Sequence, residues 1–328
     1  FLRLLQPLRT LGNATRGNSM TDESPTAGND YRSPHLEDFL TEVGSRFRDW
    51  GDKNWENQVL TSGATHLNEF GYDPFGMSPA FIRKVIPFVR FLYRGYFRVQ
   101  THGLHELPTT RLMFVANHSG QLPFDGSLIA AALAIEGRPP RILRSMVERW
   151  VPSLPFVSLF MSRCGQVLGD PDNSRRLLEN DEAVLVFPEG VRGISKLFWE
   201  RYKLKKFSAG FMRLAMETRT PIVPVAVVGA EEAIPALYNS KLLARLLGAP
   251  AFPITPTFPW IFPLGILPYP VKIHLYFGEP MSFSGDPNDE DEVVEAKVAR
   301  VQGEVQRLVD RGLQERGPFP ISLLGGVR

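Results

Sequence analysis

Short, uncharged, bulky runs constrain this fold more than any other feature of the chain. Leu112–Ala116, Ala183–Phe187 and Ile222–Val228 are almost wholly apolar and too short for ordinary helices, so they read as buried strands. Phe97–Thr101, Arg141–Met146, Gln166–Leu168 and Lys272–Phe277 read as further strands. Helical patterns lie between them at Ser127–Ile135, Val151–Met161, Asn173–Glu179 and Ser208–Glu217. Apolar strands alternating with helices require a sheet covered on both faces. The expected fold is α/β, a central mixed and largely parallel sheet flanked by helices. A last amphipathic helix is expected over Asp289–Glu315. There Val294, Val298, Val301, Val305 and Leu308 recur at spacings of four and three, a stripe suited to packing on the domain.

The chain has 328 residues, enough for one large domain or two smaller ones. Its formal net charge of +2 gives no case for nucleic acid as a partner. The single cysteine, Cys164, excludes an internal disulfide. Residues 1 to 35 are rich in small polar residues, and the sequence predicts little order there. The first 19 residues hold Arg3, Arg9 and Arg16 and no acid. They read as a targeting or surface-binding segment, or as an upstream stretch before Met20. Residues 36 to 98 read as a helical, membrane-associating region, with one helix near 36–49. From Ser78 to Arg98, Arg90, Arg94 and Arg98 fall on one helical stripe. That pattern suits an anionic membrane surface or an ordinary solvated face, with a kink at Pro87.

The longest charge-free run, Leu246 to Val271, is long enough to span a bilayer. It carries seven prolines, from Pro250 to Pro270, and lipid cannot satisfy the carbonyls that proline frees. The run must pack in protein or lie at an interface.

Two stretches carry chemistry. In the first, Asn117-His118 follows the Leu112–Ala116 strand, and Asp125 comes after six intervening residues. Strand ends are where open α/β sheets place ligands. A fixed carboxylate can orient an imidazole and stabilise its protonated form, and general-base catalysis supplies roughly 10²- to 10⁴-fold in rate. His118 also reads as a hydrogen-bonded core residue, and Asp125 as the N-cap of the helix that begins near Ser127. In the second stretch, the Ala183–Phe187 strand runs into Pro188-Glu189-Gly190 and then Arg192. Gly190 permits close approach of a ligand to the backbone, and Arg192 offers a fork for phosphate or carboxylate. Glu189 is placed to orient Arg192 or to accept from a ligand hydroxyl. A local Glu189–Arg192 ion pair is the simpler alternative.

The order and separation of these stretches resemble the glycerolipid acyltransferase superfamily, with its Asn-His-x-x-x-x-Asp and Phe-Pro-Glu-Gly-Thr-Arg-Ser blocks. Gly103 to Pro108 upstream and Pro221 to Ala226 downstream match further phrases of that family, so the resemblance covers about residues 95 to 285. It implies a catalytic domain over 99–285, followed by the C-terminal helix and tail. It implies His118 as general base, Asp125 as its partner, and acceptor binding by Glu189, Gly190, Arg192 and Arg163. It further implies acyl-CoA or acyl carrier protein as donor, a lipid acceptor, and a peripheral or monotopic place on the cytoplasmic membrane face. Two departures stand out. Six residues separate His118 from Asp125 where the family has four, and Val191 and Gly193 replace two hydroxyl residues. A lysolipid other than a phosphate-bearing one, or a neutral acylglycerol, then becomes a natural acceptor. Lys196, Arg201, Lys203, Lys205 and Lys206 are available for an anionic headgroup or coenzyme A.

The competing reading is a non-catalytic lipid-binding protein on the same scaffold. No Gly-x-Ser-x-Gly elbow, phosphate-binding loop or dinucleotide fingerprint is present. His35, His66, His102, His105 and His274 show no metal-ligand spacing, so neither a metal nor a bound cofactor is expected.

Overall fold

The computed structural model describes residues 67–119, 124–151, 156–261, 265 and 267–316. The expectations for residues 1 to 66, including the helix near 36–49, lie outside the described residues. The apolar runs do form one sheet. Its strands are β1 (Gln100–His102), β2 (Leu112–Ala116), β3 (Leu143–Val147), β4 (Val167–Leu168), β5 (Ala183–Val186), β6 (Ile222–Val228) and β9 (His274–Phe277). A separate small pair joins β7 (Tyr238–Asn239) to β8 (Pro253–Ile254). The order across the main sheet is β1-β9-β6-β2-β5-β3-β4. The five strands from β6 to β4 run parallel; β9 is antiparallel to β6 and parallel to β1. The sheet is therefore mixed and largely parallel, as expected.

The helices are α1 (Pro79–Arg90), α2 (Phe124–Ile135), α3 (Val157–Arg163), α4 (Pro171–Glu179), α5 (Val191–Ile194), α6 (Gly210–Glu217), α7 (Ala230–Ala233), α8 (Lys241–Leu247) and α9 (Asp291–Arg316). Strand alternation divides the core into two layers. Leu112, Phe114 and Ala116 pack with Leu128, Ile129, Ala132 and Leu133 of α2. Met113 and Val115 point the other way, into a layer holding Leu177 and Leu178 of α4, Phe211 and Met212 of α6, and α9. The α9 stripe behaves as its spacing predicts: Val294, Val298, Val301, Val305 and Leu308 are all buried. Each such side chain stabilises the fold by about 1.5–3 kcal/mol.

The expected arginine stripe near the N-terminal side is not a uniform solvated face. Arg90 is buried and Arg94 is exposed. Arg98 donates to the Pro270 carbonyl at 2.7 Å. Helix α1 passes through Pro87 and continues as a π-helical turn, Phe91–Tyr96. Among the described residues no helix is long and apolar enough to cross a membrane.

Candidate active site

His118 leaves the sheet where β2 ends between β5 and β6. Two contacts fix that point. The Asn117 side chain acts as a surrogate for strand backbone. Its Nδ2 donates to Val227 O at 3.1 Å, and its Oδ1 accepts from Val227 N at 2.7 Å. On the other side, His118 N donates to Glu189 Oε1 at 2.9 Å, tying the end of β2 to the turn after β5. The imidazole stacks on Phe187, with centroids 4.2 Å apart and planes at 18°.

The widened spacing does not separate the imidazole from its carboxylate. His118 Nδ1 lies 2.6 Å from Asp125 Oδ2. Helix α2 begins at Phe124, so Asp125 sits within its first turn rather than capping it from outside, which corrects the N-cap expectation. Asp125 is fully buried, and each oxygen is satisfied by protein. Oδ2 also accepts from Ser119 N at 2.9 Å, and Oδ1 accepts from Gly126 N at 2.7 Å. A carboxylate only accepts, so its contact assigns the proton to Nδ1 and the lone pair to Nε2. Among the described residues no partner engages Nε2, and the side chain stays 11% exposed. An Nε2 lone pair backed by a buried carboxylate can take a proton from a hydroxyl.

The second stretch supports the first. Gly190 has φ 56° and ψ −146°, a conformation essentially confined to glycine, and its N–H closes the turn onto Phe187 O at 3.0 Å. Gly193 lies against the Cβ atoms of His118 and Glu189. A Cβ there would stand 2.6 Å from His118 Cβ and 2.9 Å from Glu189 Cβ, so a side-chain-free residue is a packing requirement at this position.

Glu189 is not arranged as the sequence suggests. Only 1% exposed, it binds His118 N through Oε1 and Lys205 N through Oε2 at 2.8 Å, with Lys196 Nζ 3.4 Å from Oε2. The carboxylate is committed within the protein, and the local Glu189–Arg192 pair does not form. Arg192 is exposed and donates from Nη2 to Lys206 O at 2.9 Å. Arg163 stacks on Tyr72, 3.7 Å from the ring centroid, and makes no hydrogen bond or ion pair with the His118 group among the described residues. The structure therefore brings together His118, Asp125, Glu189 and Gly190, and sets Arg163 on a different contact.

Sequence reasoning missed the buried network behind Glu189. Lys196 also pairs with Glu231 at 2.6 Å, and Glu231 accepts from Tyr202 N. Tyr202 OH donates to Glu232 at 2.9 Å, and Arg316, the last residue of α9, clamps Glu232. Burial alone would lower the Lys196 pKa, but Glu231 and Glu189 outweigh it and hold the ammonium charged. The nearest sequence signals were Lys196 and Glu189 themselves; Glu231 and Arg316 lie too far along the chain for spacing to reveal. Among the described residues no group of three or more His, Cys, Asp or Glu side chains is placed to hold a metal ion.

The strand-end imidazole, its carboxylate and the glycine-rich turn lie on an α/β sheet, and residues 98–228 match the Acyltransferase family model. Residues 98–228 thus carry an acyltransferase domain. An uncharacterized protein of Mycobacterium leprae is 42% identical over 226 residues, covering 68% of this chain and 60% of the relative. The chain thus spans about three fifths of the length of the mycobacterial relatives it matches. A chicken (Gallus gallus) protein named "DGAT1/2-independent enzyme synthesizing storage lipids" is 26% identical, over 63% of this chain and 57% of that protein. Among solved structures, the 1-acyl-sn-glycerophosphate (LPA) acyltransferase PlsC of Thermotoga maritima matches with a TM-score of 0.49 at 17% identity. That match covers 87% of this chain and 99% of the other.

Proposed function

We propose that this protein transfers a fatty acyl group from acyl-CoA or acyl carrier protein to a hydroxyl of a glycerolipid or lysophospholipid. The observation that carries the reading is the His118–Asp125 contact at 2.6 Å, with no partner on Nε2 among the described residues. His118 Nε2 takes the proton as the acceptor oxygen attacks the thioester carbonyl. Asp125 holds the ring and stabilises the imidazolium. Collapse of the tetrahedral intermediate breaks the carbon–sulfur bond, and the imidazolium returns its proton to the leaving thiolate. No acyl-enzyme forms, so no serine nucleophile is required.

Glu189 works in this reading as a positioning residue, holding the His118 backbone. Gly190 and Arg192 lie along the same turn, where Arg192 faces solvent and can meet an anionic headgroup or the phosphates of coenzyme A. Arg163, stacked on Tyr72, is assigned a more distant acceptor contact. Val191 and the packed Gly193 leave no hydroxyls in the second block. Together with the storage-lipid name of the chicken relative, this favours a neutral acylglycerol over a phosphate-dependent acceptor. A membrane-surface setting follows from substrates of this class.

The test incubates purified protein with acyl-CoA, or acyl carrier protein carrying an acyl chain, and a panel of lysolipids and acylglycerols, read by mass spectrometry. His118→Ala is expected to abolish transfer while the protein stays folded. A folded His118→Ala protein with full activity sinks the mechanism. Lipid binding without turnover in the parent protein would favour the non-catalytic reading.

A further inference from the structure

The connection from β6 to β9 carries surface that the acyl-transfer chemistry does not use. Its β7–β8 pair and helix α8 form a small lobe, linked by the Phe252–Phe258 ring contact at 5.3 Å and by Ser240 N donating to Phe252 O at 2.9 Å. Helix α8 buries Ala244 and turns its large apolar residues outward: Leu242 is 77% exposed and Leu246 78%. These two lie four apart, on one side of the helix. Trp260, at 83% the most exposed large apolar residue among the described residues, and Tyr238 stand on the same connection. An ordinary surface helix places polar residues where α8 places leucine.

Charge on this segment has one sign. No aspartate or glutamate occurs between Glu232 and Glu279, whereas Lys241, Arg245 and Lys272 do. Lys241 and Arg245 are exposed, again four apart, beside the leucines. Leucines that enter acyl chains, cations that stay at the headgroups, and a tryptophan and tyrosine with one wet edge make up an interfacial set.

We propose that this lobe docks the protein on an anionic lipid surface through Leu242, Leu246 and Trp260, with Lys241 and Arg245 at the headgroups. The docking is independent of the acyl-transfer reading and is measured without substrate. The full chain is sedimented with vesicles of phosphatidylcholine, with and without phosphatidylglycerol. Leu242→Glu with Leu246→Glu is expected to weaken partition at least about tenfold, since each fully buried leucine counts for that much or more. Lys241→Glu with Arg245→Glu is expected to weaken binding to the anionic vesicles by at least about fivefold per cation and to spare the neutral ones. Unchanged thermal midpoints show that the fold survives. Trp260→Ser supplies an independent variant with the same expected direction if the leucine pair misfolds. Parent protein that ignores anionic vesicles overturns the proposal, as does a folded leucine variant that binds like the parent. A parent dimer that the leucine variant dissociates, with vesicle binding unchanged, assigns the patch to a second copy and also overturns it.

Discussion

Replacing Asp125 with asparagine changes one atom and tests the whole proposed site. Asp125 Oδ2 accepts from two donors, His118 Nδ1 at 2.6 Å and Ser119 N at 2.9 Å; Oδ1 accepts from Gly126 N at 2.7 Å. An amide keeps one acceptor and turns the other into a donor. With its nitrogen at the Oδ2 position, it faces two N–H groups. His118 must then move its proton to Nε2, and the lone pair needed as base disappears. With its nitrogen at the Oδ1 position, it opposes Gly126 N–H, and the negative charge behind the imidazolium is lost. Both routes remove most of the general-base contribution. The expected fall in kcat/KM is therefore roughly 10²- to 10⁴-fold, or about 2.7–5.4 kcal/mol of transition-state stabilisation. The unmatched buried donor costs a further ~1–3 kcal/mol of folding stability, so rates belong at a temperature where circular dichroism shows the variant folded. Steady-state kinetics on the best acceptor of the panel give the answer. A folded Asp125→Asn protein within about threefold of the parent would refute the role given to this carboxylate.

Gly193→Ala places a methyl 2.6 Å from His118 Cβ and is expected to lower kcat by at least about tenfold with little change in KM; an unaltered kcat would show that the imidazole tolerates displacement. Glu189→Gln converts one of two accepting oxygens into a donor opposite a backbone N–H and leaves the Lys196 ammonium with one carboxylate fewer. A loss of about 2–4 kcal/mol in chemical denaturation is expected, with activity falling in step. His274 gives a pH signature. Burial first, then Lys272 and its neighbours, lower its pKa to about 4. The native state disfavours protonation, so this contribution is complete above the unfolded pKa of about 6.5 and is lost as pH falls toward 4. It amounts to up to about 3 kcal/mol. Denaturant melts at pH 7.5 and 4.5 should show a smaller stability difference in His274→Asn than in the parent, and equal differences would refute it.

How much of this was legible in the sequence depends on the range of the interaction. Leu112–Ala116 and Ile222–Val228 are strands at their expected ends, because a continuous apolar run buried on both faces is a local signal. The α9 valines were equally plain. Boundaries blurred where polar residues share the element: Arg141 lies outside β3, and Phe97 is buried without joining β1. Helices α5, α7 and α8, at four to seven residues, were too short for periodicity to register. At the site, His118 and Asp125 were visible as residue types on a strand end. The partners of Glu189 and the buried state of Arg90 were not, because tertiary contacts decide them. Arg144 shows the same limit: it lies in an expected strand, is wholly buried, and pairs with Asp73 at 2.7 Å, which no spacing suggests.

The paired hydrogen bonds between Asn117 and Val227 have a consequence for variation and design. His118 is moored to one neighbouring strand through Asn117 and to the turn after the other through Glu189. Its height above the sheet is therefore independent of the connector that follows it. That connector is two residues longer than the family pattern, yet the imidazole still meets its carboxylate. Connectors of different length grafted between Ser119 and Phe124 are therefore expected to leave the proton-accepting nitrogen in register, because its moorings lie on the neighbouring strand and turn.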